Sequence, residues 1–209
     1  MTTTITLKQI RKHSPCQDGW ENLLEHLGKT KADDAPVKFS EILNSNGLDD
    51  ALWCLRALPE EHSGKIRCLT ADFAERVLHI FEEKYPDDKR PREAIQGARD
   101  YVEGKITLDE LKVFRRAAEA VYAYDAYAAD AAYAADAADA ANTAAYAADT
   151  AAAAYAADTA ADTAADTADA AAAADAAADA AAYAYSAAAA DTHKTEIKAQ
   201  GELLIKYFG

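Results

Sequence analysis

Apolar side chains recur three and four residues apart along the first 116 residues, and capping residues, glycine or proline punctuate each run. Thr6 is placed to cap a turn through Ile10. Ser14-Pro15-Cys16-Gln17 has the form of a capping box with proline at the first helical position; Trp20, Leu23, Leu24 and Leu27 follow at helical spacing until Gly28 stops the run. Lys29 to Val37 reads as a polar loop, Phe39 to Leu43 as a short helical segment, and Asn44-Ser45-Asn46-Gly47 as a turn. From Leu48 to Leu58, the residues Leu48, Ala51, Leu52 and Leu55 form one apolar stripe. Asp49 and Asp50 lie in its first turn and Arg56 near its last, as the helix dipole favours. Ile66, Leu69, Phe73, Val77, Ile80 and Phe81 predict a longer helix from Lys65 to Lys84, and a charged, proline-stiffened turn from Tyr85 to Arg92 follows it. A helix from about Pro91 to Val102 ends at Gly104, and Thr107-Leu108-Asp109-Glu110 is a second capping box. No alternating strand pattern is found, so the predicted fold is all-α.

The pattern changes at Ala117. Of the 76 residues from Ala117 to Thr192, 46 are alanine, none is lysine or arginine, and there is no glycine or proline between Gly104 and Gly201. Alanine loses no side-chain entropy in a helix, so this tract is predicted to be helical. Tyr-x-x-Asp occurs five times, at Tyr122/Asp125, Tyr127/Asp130, Tyr133/Asp136, Tyr146/Asp149 and Tyr155/Asp158, and the spacing sets each pair on one helical face. Asp125, Asp136, Asp158, Asp169 and Asp191 also fall at multiples of eleven, a period that keeps a stripe aligned, although other aspartates leave it. As a single rod the tract would span roughly 110 Å and leave its tyrosines without partners. Folding back into several long helices, with breaks at Asn142-Thr143, Asp149-Thr150, Asp158-Thr159 and Asp191-Thr192, gives a packed helical stack or bundle. The expected division is residues 1–106 as a region of short helices and 107–209 as the alanine-rich acidic region with a closing helix.

Charge sharpens the contrast between the two parts. Residues 1–116 carry 19 basic and 21 acidic side chains, 117–192 carry none and 13, and 193–209 carry 3 and 2, which together give the net −14 of the chain. Acidity therefore belongs to the tract, which argues against direct binding of nucleic acid and for a basic protein partner. The 12 aspartates also exclude a membrane span there. Cys16, Cys54 and Cys68 show no metal-type pairing and the start of the chain has no apolar secretion core, so reduced thiols in the cytoplasm are expected.

Ile5-Thr6-Leu7-Lys8-Gln9-Ile10, Pro15-Cys16-Gln17-Asp18-Gly19-Trp20, Leu48-Asp49-Asp50-Ala51-Leu52-Trp53-Cys54-Leu55-Arg56 and Tyr85-Pro86-Asp87-Asp88-Lys89-Arg90-Pro91-Arg92-Glu93-Ala94-Ile95 carry a resemblance. Together with the alanine-rich C-terminal half closed by Ile205-Lys206-Tyr207-Phe208, they resemble a bacterial and phage family of immunity proteins. The resemblance covers nearly the whole chain and implies a protein that neutralises a toxin by binding it, without a cofactor and without catalysis.

Candidate sites follow from both readings. The expected partner-binding face consists of the five Tyr-x-x-Asp pairs, since tyrosine gives contact area at low entropic cost and aspartate fields speed encounter with a positive toxin, nuclease or defence factor. Asp49, Asp50 and Arg56 with Asp87, Arg90 and Arg92, and His79 as a base, would instead make a polar enzyme or ligand site. The competing explanation, which we prefer, is that carboxylates stabilise a helix N-terminus. His13, His26, His62, His79 and His193 are dispersed, so no metal is expected. A phage anti-defence DNA mimic needs the folded-back tract, because 13 acids along about 114 Å of one helix are roughly fivefold sparser than duplex phosphates. Residues from Asp149 to Ala182 also resemble alanine-rich fish antifreeze helices, but Thr143, Thr150, Thr159, Thr163 and Thr167 do not form one stripe. Alanine faces could also pack between subunits of a homo-oligomer.

Overall fold

The computed structural model describes residues 2–118, Ala120, Ala178, Ala181 and 193–209. Within them the chain is all-α apart from one two-stranded sheet. β1 (Thr4–Thr6) pairs antiparallel with β2 (Pro36–Lys38), setting Ile5 opposite Val37. This sheet corrects both the strand-free reading and the assignment of Lys29 to Val37 as loop alone. Each strand has three residues with only the middle one buried, so a period of two never repeats.

α1 (Leu7–Lys12) begins as expected. The Thr6 hydroxyl accepts from the Gln9 N–H at 3.2 Å, and Gln9 Oε1 accepts from the Thr6 N–H at 2.8 Å. Ser14 does not cap the next helix. It sits at φ 55, its N–H donates to the Arg11 carbonyl, and it closes α1. Pro15 disfavours helical backbone in the residue before it, so α2 (Gln17–His26) starts from Cys16. Gly28, at φ 63, follows its end.

α3 (Phe39–Asn46) runs on through Asn44, Ser45 and Asn46, which the sequence reading assigned to a turn, and breaks at Gly47 with φ 85. Tertiary bonds hold those polar residues: the Ser45 carbonyl accepts from Asn22 and the Asn46 amide donates to the Gly19 carbonyl, both at 2.7 Å. α4 (Leu48–Trp53) tightens into a 3-10 turn over Cys54–Ala57, so the single helix expected from Leu48 to Leu58 is two pieces.

α5 (Ser63–Lys84) is the axis of the described structure. Ile66, Leu69, Phe73 and Phe81 of its expected stripe are fully buried, and so are Thr70, Ala71 and Ala74. α6 (Arg90–Val102) packs along it. A helix over 108–118, α7, starts at Thr107, which exchanges hydrogen bonds with Glu110 as the second capping box requires. Gly97 allows α6 and α7 to meet, since a Cβ there would lie 2.9 Å from Phe114.

α8 (His193–Phe208) returns to the N-terminal core. Leu204 and Phe208 join Ile5, Leu7, Phe39 and Leu55 there, the Phe208 ring lies 5.6 Å from that of Phe39, and the Thr3 N–H donates to the Phe208 carbonyl. Two polar clasps hold α8 on α5. Arg76 forks onto Glu196 with two hydrogen bonds of 2.8 Å, and Gln200 bonds both Glu196 and the Ala181 carbonyl. The Tyr207 hydroxyl donates to Asp72 at 2.9 Å, and Asp72 also pairs with Arg99 of α6 at 2.7 Å. Among the described residues no helix is long and apolar enough to cross a membrane.

Glu196 is only 6 % exposed, so Arg76→Ala leaves a buried carboxylate without its fork. Urea unfolding should show a loss of about 2–4 kcal/mol for Arg76→Ala, and a smaller loss when Arg76→Met and Glu196→Met are combined, because no orphan charge then remains. A double variant as unstable as the single one would show that the loss comes from the missing pair itself and not from an orphaned Glu196 charge.

Candidate functional site

Asp50 stands where α2, α3 and α4 converge. Its carboxylate accepts from the Asn46 amide at 2.7 Å, and Asn46 bonds the Gly19 carbonyl of α2 at the same distance. A Cβ on Gly19 would lie 2.5 Å from Asp50 Oδ2 and 3.1 Å from Cys16 Sγ. Glycine inside a helix costs about 1 kcal/mol relative to alanine, and here it admits the carboxylate to the helix surface. Beside these groups lies a cavity of about 130 Å³, walled by Ile10, Trp20, Leu23 and Trp53 and reached by Cys16, Asn46 and Asp50. Arg11 lies over the Trp20 ring and Arg56 over the Trp53 ring, at 5.2 and 4.3 Å.

The other members of the sequence-derived polar set are engaged elsewhere. Arg56 also donates to the Trp53 carbonyl at 2.9 Å. Asp49 is exposed and lines a cleft of about 530 Å³ with Leu48, Ala181, Ile197 and Gln200. Arg90 pairs with Asp88, and Arg92 forks onto Glu82 at 2.6 Å, while Asp87 is exposed. The hydrogen bonds from Arg92 hold the Glu82 carboxyl below its ordinary range, and those from Arg90 do the same for Asp88. These arginines brace the turn between α5 and α6. His79 is exposed and its ring contacts the Arg76 carbonyl. Among the described residues no cluster of His, Cys, Asp or Glu could hold a metal ion.

Cys16, Gly19, Trp20 and Asn46 were not singled out by the sequence as companions of Asp50. The one local signal was Gly19, a glycine inside an otherwise regular amphipathic run. The expected partner face, Tyr122, Asp125, Tyr127, Asp130, Tyr133, Asp136, Tyr146, Asp149, Tyr155 and Asp158, lies outside the described residues, as does the folded-back course of the tract.

Residues 57–157 match the family model described as "Imm-5 like putative immunity protein". This is the immunity type that the sequence resembles. No curated protein and no solved structure matches the chain. The matched segment takes in α5, α6, α7 and the alanine tract as far as Ala157, and so holds every Tyr-x-x-Asp residue except Asp158. The Asp50 cavity lies before it.

The three cysteines are free and differ in environment. Burial, assisted by the Asp50 charge, pushes the Cys54 thiol up to about 12, and burial with the Asp72 charge raises Cys68. Cys16 is exposed. Since the thiolate is the reactive form, a thiol reagent at neutral pH should modify one cysteine of the native chain quickly, and Cys16→Ser should remove that fast phase. Two fast thiols in the native protein would contradict this packing of Cys54 and Cys68.

Proposed function

We propose that the chain is an immunity-type inhibitor that neutralises a toxin or defence protein by binding a basic surface on it. The scaffold of short helices carries the alanine tract, and the tract's aspartates and tyrosines make the contact. The observation that carries this reading is the overlap of the immunity-type match with the acidity: the match runs into the tract, and the tract holds 13 acidic side chains and no basic one. A field of one sign steers an oppositely charged partner and raises the association rate, while tyrosines supply the close contact. Inhibition by occupancy requires no turnover chemistry. Three free thiols, one of them buried, suit a reducing compartment, and the cytoplasm is the compartment we assign.

Replacing Asp125, Asp130, Asp136, Asp149 and Asp158 together with asparagine keeps size and hydrogen bonding and removes five charges. The variant should retain its far-ultraviolet circular dichroism, lose partner binding by at least about tenfold, and show a weaker dependence of the association rate on salt. Unchanged affinity with unchanged salt dependence would move the site off the tract.

A further inference from the structure

The cavity beside Asp50 is lined by residues that precede the segment matched to immunity proteins, and that match assigns it no ligand. We propose that it is a pocket for a lysine side chain presented by a protein partner. Its volume of about 130 Å³ is about ten times the room that one water needs, enough for a four-carbon stem and an ammonium group. Ile10, Trp20 and Trp53 offer that stem apolar walls.

The polar end specifies the head group. Asn46 donates to Asp50 Oδ2, while Oδ1 makes no hydrogen bond or ion pair among the described residues. One carboxylate oxygen thus remains for a ligand. A guanidinium fork needs both oxygens, whereas an ammonium is satisfied as a point charge by one. Asp50 is positioned for this by Gly19, whose missing Cβ leaves the space that the carboxylate fills. Lysine is therefore favoured over arginine, and an anionic ligand is repelled. The choice of a partner's lysine rests on the reading of the partner as a basic protein, but the site itself is tested without any partner.

Trp20 and Trp53 are the only two tryptophans of the chain and both line the cavity, so tryptophan fluorescence reports on this site alone. The full chain is titrated with Nα-acetyl-lysine methylamide, with its Nε-acetylated form, and with the norleucine analogue, which keeps the stem and lacks the ammonium. The lysine compound should give a saturable change in the millimolar range, and the two neutral compounds should bind about tenfold more weakly. Asp50→Asn should erase that preference at unchanged helicity. Gly19→Ala, which intrudes on the carboxylate while favouring the helix, should also abolish lysine binding. Equal binding of all three compounds would reduce the cavity to an apolar void, and no response to the lysine compound would remove the site altogether. Either failure leaves the tract reading intact, and loss of partner binding by the tract variant leaves this titration unchanged.

Discussion

A guanidinium on α5 and a carboxylate 120 residues further along the chain hold this scaffold closed. Arg76 and Glu196 meet at a site where Glu196 is nearly sealed from water, so the pair is favourable only while both partners and the Gln200 amide are in place. With α8 seated there, Phe208 reaches Phe39 and the Thr3 N–H, and Tyr207 reaches Asp72. The same α5 carries Asp72 and Glu75 to Arg99 of α6. One helix therefore organises the elements before and after the alanine tract.

Elements that follow from local physics were legible in the sequence. α5 came from a long stripe of large apolar residues, α6 from the proline and glycine that bound it, and the helix starts at Thr6 and Thr107 from a capping hydroxyl and a capping box. The misread elements depend on neighbours distant in sequence. Ser14 has the composition of a cap but ends the preceding helix; Asn44 to Asn46 have the composition of a turn but are held helical by α2. The β1–β2 pair is too short to show a period. Arg76 and Glu196 leave no local pattern at all, because their meeting is decided by the return of α8.

The candidate sites divide along the same line. Asp50 could be noted from its position in the first turn of α4, but its company of Asn46, Gly19, Cys16 and two tryptophans exists only after three helices converge. Arg90 and Arg92 could be noted from a charged turn, and the structure engages them with Asp88 and Glu82 as braces. The tract's repeat is the opposite case: its chemistry is read from spacing and charge alone, and the immunity-type match runs into it. The picture that results is a scaffold clasped by α8, with a strongly acidic segment joining α7 to that clasp.

Stoichiometry tests the central claim most directly, because an inhibitor that works by occupancy is consumed while an enzyme is not. The toxin or defence protein proposed as its target is held at a fixed concentration well above the dissociation constant, and its residual activity is followed as purified chain is added. Activity should fall in a straight line and reach its floor near one binding equivalent. Full protection at a small fraction of an equivalent would reveal turnover, and full activity at large excess would show that the two proteins do not act on one another; either result contradicts neutralisation by binding.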